Sequence, residues 1–313
     1  MTRLSTRTRL SAVAALTALG TLASVGGATA ADPTLNGQWA PFTRCPVDAA
    51  AMLAADGFDK TPQCVVSTSA GGSVKLGRTT VVTGRTNLQF GVVQNADGTS
   101  TVVAPPSGAL VADPATVPGG LLGLMCPSDI PVITGICQTL SDAKLNKITA
   151  TMESVGAPYA FDQTAGVLKD MPIIALPVRI RLQNPLLGDN CYIGSASAPI
   201  VLRPKNLDYP AFGMSFFKGD GTLDEAGEMS RIDLTGAPQN DSSFAVPAAG
   251  GCGLNVGLIN AAVNAKTGLP SAAGNNSLTL NNTQTHLAGL TAPGTVAPDA
   301  GKVLARNWRS AVR

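Results

Sequence analysis

The chain has 313 residues, of which 13% are charged and 4% aromatic, with 34 glycines and 22 prolines. Its formal net charge of +2 rests on 22 basic and 20 acidic residues, three of the basic ones in the leading segment, so it offers no basic field of the kind that binds nucleic acid. A composition rich in Gly and Pro and poor in charge argues against a helical bundle and for many short strands joined by tight turns.

Arg3, Arg7 and Arg9 precede an apolar stretch from Leu10 to Val25, and Ala28-Thr29-Ala30 forms an A-x-A cleavage site. This pattern predicts a secretory signal over residues 1–30 and a secreted protein, extracellular or held at the cell envelope. Without an Arg-Arg pair or a cysteine at the cut, general export without a lipid anchor is expected. Cleavage would leave 19 basic against 20 acidic residues. The remainder, 31–313, is expected to be a single β-rich extracellular domain. Its candidate internal boundary is the Pro/Gly-rich crossing of 105–120. No transmembrane segment is expected there: the closest apolar run, Pro118 to Leu140, is broken by Pro127, Asp129 and Pro131.

All six cysteines follow the cut: Cys45, Cys64, Cys126, Cys137, Cys191 and Cys252. An even count in an exported chain predicts three disulfides, and of the fifteen pairings the nearest-neighbour set is expected. That set is Cys45–Cys64, Cys126–Cys137 and Cys191–Cys252. Zinc binding lacks both C-x-x-C spacing and histidine ligands, His286 being the single histidine.

In chain order, Ala31 to Thr43 reads as an extended arm with Trp39 and Phe42 as docking points. Cys45-Pro46-Val47-Asp48 is expected to open a helix over Ala49 to Asp56, stopped by Gly57. Strand patterns follow at Ser73–Leu76, Thr79–Thr83, Leu88–Val93 and Ser100–Ala104, the last two joined by the turn Asn95-Ala96-Asp97-Gly98. A second Cys-Pro opens an apolar segment ending at Cys137, and Lys147–Ser154 alternates again. Between Val178 and Gln183, apolar Val178, Ile180 and Leu182 alternate with Arg179, Arg181 and Gln183, the period of a half-buried strand. Turn residues Asn184-Pro185 and Gly188-Asp189-Asn190 then lead to returning strands at Cys191–Ile193 and Pro199–Leu202. Further strands are expected at Phe212–Phe217, Met229–Leu234, Ser243–Val246 and, last, Ser277–Leu280. A helix is expected over Val256–Lys266, then a linker over Thr291–Pro298 and a terminal helix over 300–313. The fold class is therefore mainly β: an antiparallel sandwich or distorted barrel with three or four short helices, stapled by disulfides.

Four stretches offer chemistry. The loop Gly219–Glu228 carries Asp220, Asp224, Glu225 and Glu228, which could bind calcium, although Phe216 and Lys218 stand where the first two ligands should be. The same acids could form the carboxylate pair of a glycoside hydrolase. His286 would have to serve any Ser-His-Asp triad, but no G-x-S-x-G elbow exists. Leu121, Leu122, Leu124 and Met125 form an apolar segment that could contact a partner or line the pocket of an apolar-ligand carrier. On the terminal helix, Lys302, Arg306, Arg309 and Arg313 share one face beside Trp308, a candidate contact for anionic cell-wall polymer or lipid. No cofactor other than this calcium candidate is indicated.

The export signal and the phrases Pro185–Ser195 (PLLGDNCYIGS), Gly120–Asp129 (GLLGLMCPSD) and Ala297–Lys302 (APDAGK) resemble exported proteins of high-GC Gram-positive bacteria that have no assigned function. The resemblance spans most of the mature chain and carries no catalytic residue across. The expected function is a non-catalytic binding or structural one, outside the cell or at its envelope. A secreted hydrolase using the 220–228 acids and a carrier of an apolar ligand are the alternatives.

Overall fold

Residues 32–127, 131–139, 143–253, 256–291 and 298–313 are described by a computed structural model. The expected signal over 1–30, and most of the linker expected before Pro298, lie outside these residues.

Strands dominate the described chain. The first seven are β1 (Lys60–Ser69), β2 (Gly71–Leu76), β3 (Thr79–Thr83), β4 (Thr86–Asn95), β5 (Ser100–Val103), β6 (Leu110–Ala112) and β7 (Ala115–Thr116). After short helices come β8 (Thr149–Ser154), β9 (Leu176–Gln183), β10 (Tyr192–Ile193), β11 (Ile200–Leu202) and β12 (Lys205–Asn206). The rest are β13 (Ala211–Phe217), β14 (Met229–Thr235), β15 (Gln239–Asp241), β16 (Ala249–Gly250), β17 (Ser277–Asn281) and β18 (Gln284–Leu290). The helices are α1 (Ala50–Leu53), α2 (Gly120–Met125), α3 (Pro131–Thr139), α4 (Ala143–Asn146), α5 (Gln163–Val167), α6 (Val256–Thr267) and α7 (Ala300–Ser310).

Three antiparallel sheets result among the described residues, and none of them closes into a barrel. The first runs β13-β14-β18-β1-β4-β5, with β6 also on β4. The second runs β16-β10-β9-β8-β7, with β11 on β9, and the third runs β12-β15-β17-β2-β3. The crossing of 105–120 contributes β6 to the first sheet and β7 to the second.

Alternation explains where each face goes. On β9, Val178, Ile180 and Leu182 are buried among Val74, Leu278, Leu121 and Val263, in a core shared with the third sheet and with α2 and α6. On β1, Cys64 and Val66 point into a second core with Trp39, Phe42, Met52 and Leu304, where the N-terminal arm and α7 cover the first sheet. Val65 points the opposite way, to Phe90, Phe161 and Leu287. Trp39 is fully buried and meets Phe42 and Phe217 edge-on, with ring centroids 5.8 and 5.4 Å apart.

The disulfides are Cys45–Cys64, Cys126–Cys137 and Cys191–Cys252, the nearest-neighbour set. Three expected elements differ. The first helix is only α1: residues 45–49 form turns, with Val47 N–H on the Cys45 carbonyl and Ala49 N–H on that of Pro46, because Cys45 is pinned to β1. Ser243–Val246 is not a strand. The Ser243 amide and hydroxyl bond the Asp241 carboxylate, and Val246 pairs only with Ser271. Ser277–Leu280 is not the last strand: β18 follows it and lies between β14 and β1.

Candidate functional site

The acidic loop closes the β13–β14 hairpin, and its carboxylates face its own backbone. Asp220 accepts from Thr222 N–H at 2.9 Å, Asp224 from Ala226 N–H at 2.9 Å, and Glu228 from Gly219 N–H at 2.9 Å. Asp224 also pairs with Lys218 Nζ at 2.8 Å, while Glu225 is exposed. The Thr222 amide, then its hydroxyl, hold the Asp220 carboxyl below its ordinary value. For Asp224 the bond from Lys218 does most of this and the Ala226 amide adds to it. The loop also receives the arm: Trp39 Nε1 donates to the Gly219 carbonyl at 2.9 Å and Gln38 N–H to that of Gly221 at 2.9 Å. Among the described residues no three His, Cys, Asp or Glu side chains converge as metal ligands would.

His286 lies on β18 opposite Asp233 of β14, and its Nδ1 is 2.5 Å from an Asp233 oxygen. Arg231 holds the same carboxylate at 2.8 Å and donates to the Gln38 carbonyl. Asp233 therefore bridges Arg231 and His286, and Arg231 in turn reaches the arm at Gln38. Among the described residues no hydroxyl or thiol bonds the other ring nitrogen, so the triad is without its nucleophile.

The apolar candidate is core. Leu121, Leu124 and Met125 of α2 are buried and Leu122 packs against the same cluster. Of the four, Leu124 alone lines an inter-sheet space, of about 50 Å³, beside a second of about 80 Å³ walled by Leu88, Phe90, Phe161 and Leu278. Both are below the roughly 150 Å³ that admits benzene and the roughly 300 Å³ at which ligand pockets begin. On the tail, Trp308 packs into the second core and donates Nε1–H to the Phe42 carbonyl at 2.9 Å. Lys302 pairs with Asp299 at 2.7 Å, Arg309 with Asp48, and Arg313 bonds Asn36. Of the four tail cations, Arg306 has no such partner among the described residues.

The outer face of the second sheet is different. Arg179, Arg181 and Gln183 of β9 stand opposite Glu153, Thr151 and Thr149 of β8, with Tyr192 of β10 on the other flank of Arg181. Arg179 is satisfied: it reaches Glu153 at 2.8 Å and its guanidinium lies 4.0 Å from the centre of the Tyr192 ring. Arg181, half-buried between Thr151 and Tyr192, has neither a carboxylate within 4.0 Å nor a hydrogen bond among the described residues, and its Nε is enclosed without an acceptor.

Beside Arg181 opens a groove of about 560 Å³, lined by Lys147, Thr149, Arg181, Gln183, Pro185 and Asp189. Its frame is fixed. The buried Asn184 side chain donates to the Leu145 and Lys147 carbonyls at 2.7 and 2.8 Å and accepts from Leu186 N–H at 2.8 Å, tying the turn after β9 to the chain entering β8. The loop's far end is held by the Cys191–Cys252 bridge, by Leu182 N–H on the Cys191 carbonyl, and by Gly253 N–H on that of Leu187. Sequence reasoning assigned Arg181 to the fold alone. The usable signal was that two arginines alternate onto a solvent face where the neighbouring strand offers one acid, Glu153.

No protein family, no curated protein and no solved structure matches this chain.

Proposed function

We propose that this is an exported, non-catalytic binding protein of the extracellular space or cell envelope, held in shape by its three disulfides. The observation that carries the reading is how the acids of the 219–228 loop are used. Asp220, Asp224 and Glu228 each close the loop on a backbone amide, and the loop in turn seats the buried arm. Glycoside hydrolysis needs two carboxylates opposed across a bound sugar, and carboxylates spent on their own backbone support scaffold rather than turnover. Bridged cysteines support export, since such bridges persist in oxidising compartments. No helix among the described residues is long and apolar enough to cross a membrane.

Fractionation of producing cells, followed by sedimentation of purified protein with isolated envelopes, tests this. The expected result is protein outside the cytoplasm that co-sediments with envelope material. Protein retained in the cytoplasm, or glycan cleavage that disappears in Asp224→Asn, would overturn it.

A further inference from the structure

We infer that the groove at the end of β8 and β9 is a binding site for an oxyanion, the phosphate or carboxylate group of an extracellular polymer, with Arg181 as its principal contact. The inference rests on the binding reading above and names the chemistry of its ligand.

A guanidinium carries five N–H donors in a planar fork, and donors taken out of water are almost always bonded. In Arg181 Nε is enclosed without an acceptor, and no bond from the rest of the group is made among the described residues. Neighbouring Arg179 shows that the same face can satisfy an arginine, using Glu153 and the Tyr192 ring. One register step along, Thr151 replaces the acid, so Arg181 is left with its charge uncompensated.

The second cation is Lys147, exposed on the same groove and likewise without a carboxylate partner among the described residues. Thr149 and Gln183, opposite each other on the strand pair, add polar groups to the lining. Asp189 is the one acid of the lining, so the groove keeps an excess positive charge. A planar fork beside a mobile ammonium fits phosphate and carboxylate, which accept bidentate guanidinium bonds. The groove is open, so the ligand can be a group on a chain that continues past it. Anchoring by Asn184 and by the Cys191–Cys252 bridge holds the lip in place before the ligand arrives.

The test is titration calorimetry of the full-length protein with polyphosphate and, separately, with polygalacturonate. Binding that weakens with added salt is expected for at least one probe, and the probe preferred tells phosphate from carboxylate. Arg181→Gln should weaken it by about tenfold or more and Lys147→Gln by a smaller factor, as loss of charge-assisted bonds does. Asp189→Asn should tighten it by about two- to threefold, a gain that a damaged fold cannot mimic. No binding of either probe by the unmodified protein, or equal binding by Arg181→Gln, would overturn the inference. Envelope association that survives in Arg181→Gln would keep the binding reading and remove this groove from it.

Discussion

The Cys191–Cys252 bridge should contribute more stability than either of its companions. It closes a segment of 61 residues, against 19 for Cys45–Cys64 and 11 for Cys126–Cys137. A cross-link acts chiefly by removing conformations from the unfolded chain, and its effect grows with the logarithm of loop length. That relation gives about 4.3 kcal/mol for the longest loop and about 2.8 kcal/mol for the shortest. The structure adds to the contrast. Cys191 and Cys252 are fully buried in the largest core, whereas Cys126 and Cys137 only pack against it. The experiment compares Cys191→Ala/Cys252→Ala with Cys126→Ala/Cys137→Ala by guanidinium unfolding, using both midpoint and slope. The first pair should lose about 1.5 kcal/mol more than the second. It should also loosen the groove lip, seen as faster exchange of the Gly253 and Leu187 amides, whose bonds hang on this corner. Equal losses, or a greater loss for the shorter loop, would refute the argument from loop closure.

Three further outcomes follow from particular contacts. Arg44 is buried and its guanidinium donates to the Gly108, Asn87 and Ala109 carbonyls and to Asn87 Oδ1, so Arg44→Met should cost about 3–5 kcal/mol in chemical denaturation. A loss below about 1 kcal/mol would mean that water satisfies those carbonyls instead. Gly72 faces β17 so closely that a Cβ would lie 1.9 Å from the Thr279 carbonyl oxygen. Gly72→Ala should therefore cost about 2–3 kcal/mol, against about 1 kcal/mol for Gly98→Ala, where φ is +82° but the space is open. For Asp220 and Asp224 the folded pKa is depressed below the ordinary 3.8, so their bonds are fully present above that value and are lost as pH falls through the lower folded values. Amide exchange should show Thr222 and Ala226 protected at neutral and mildly acidic pH and released only in stronger acid. Release near neutrality would contradict the assignment.

Much of the scaffold was legible because its signals are local. The period-two pattern of 178–183 has one face in the core and the other in water, so β9 announced itself. The tail helix could be read from its amphipathic spacing, and the cysteine pairs from their proximity along the chain. β18 was hidden for the converse reason. It lies between β14 and β1 with both faces covered, so Leu287, Ala288 and Gly289 are buried in succession and no alternation survives. Phe244 and Val246 do alternate, but a buried two-residue period does not by itself make a strand when Asp241 takes the neighbouring amide. The use the acidic loop makes of its carboxylates could not be read from the sequence, because an aspartate near a glycine turn looks alike whether it binds an ion or caps its own backbone. The His286–Asp233 pair depends on a register linking residues 53 apart, and the groove on one that sets Lys147 beside the turn after β9. Neither register is written in any local pattern.

In a chain so sparing of charge, the location of an unused one carries information. Arg179, Arg231, Lys205, Lys218, Lys302 and Arg309 all reach carboxylates, and buried Arg44 reaches carbonyls. Arg181 is half-buried and reaches neither. Enclosing the Arg181 Nε–H without an acceptor opposes folding, so a residue chosen for stability at this position would be neutral, as Thr151 is across the strand pair. If Arg181 is present for a ligand, then Arg181→Gln should leave thermal unfolding unchanged or raise its midpoint, while the anion affinity falls. If instead the arginine holds the sheet together, the same variant should unfold earlier by the equivalent of more than about 1 kcal/mol, beyond what an exposed substitution costs. Calorimetric scans of Arg181→Gln beside Arg179→Gln make the comparison internal. Arg179 has its acid and its ring, so its loss should cost stability while that of Arg181 does not. The opposite ordering would place the function of this face in its packing and leave the groove without a reason to bind.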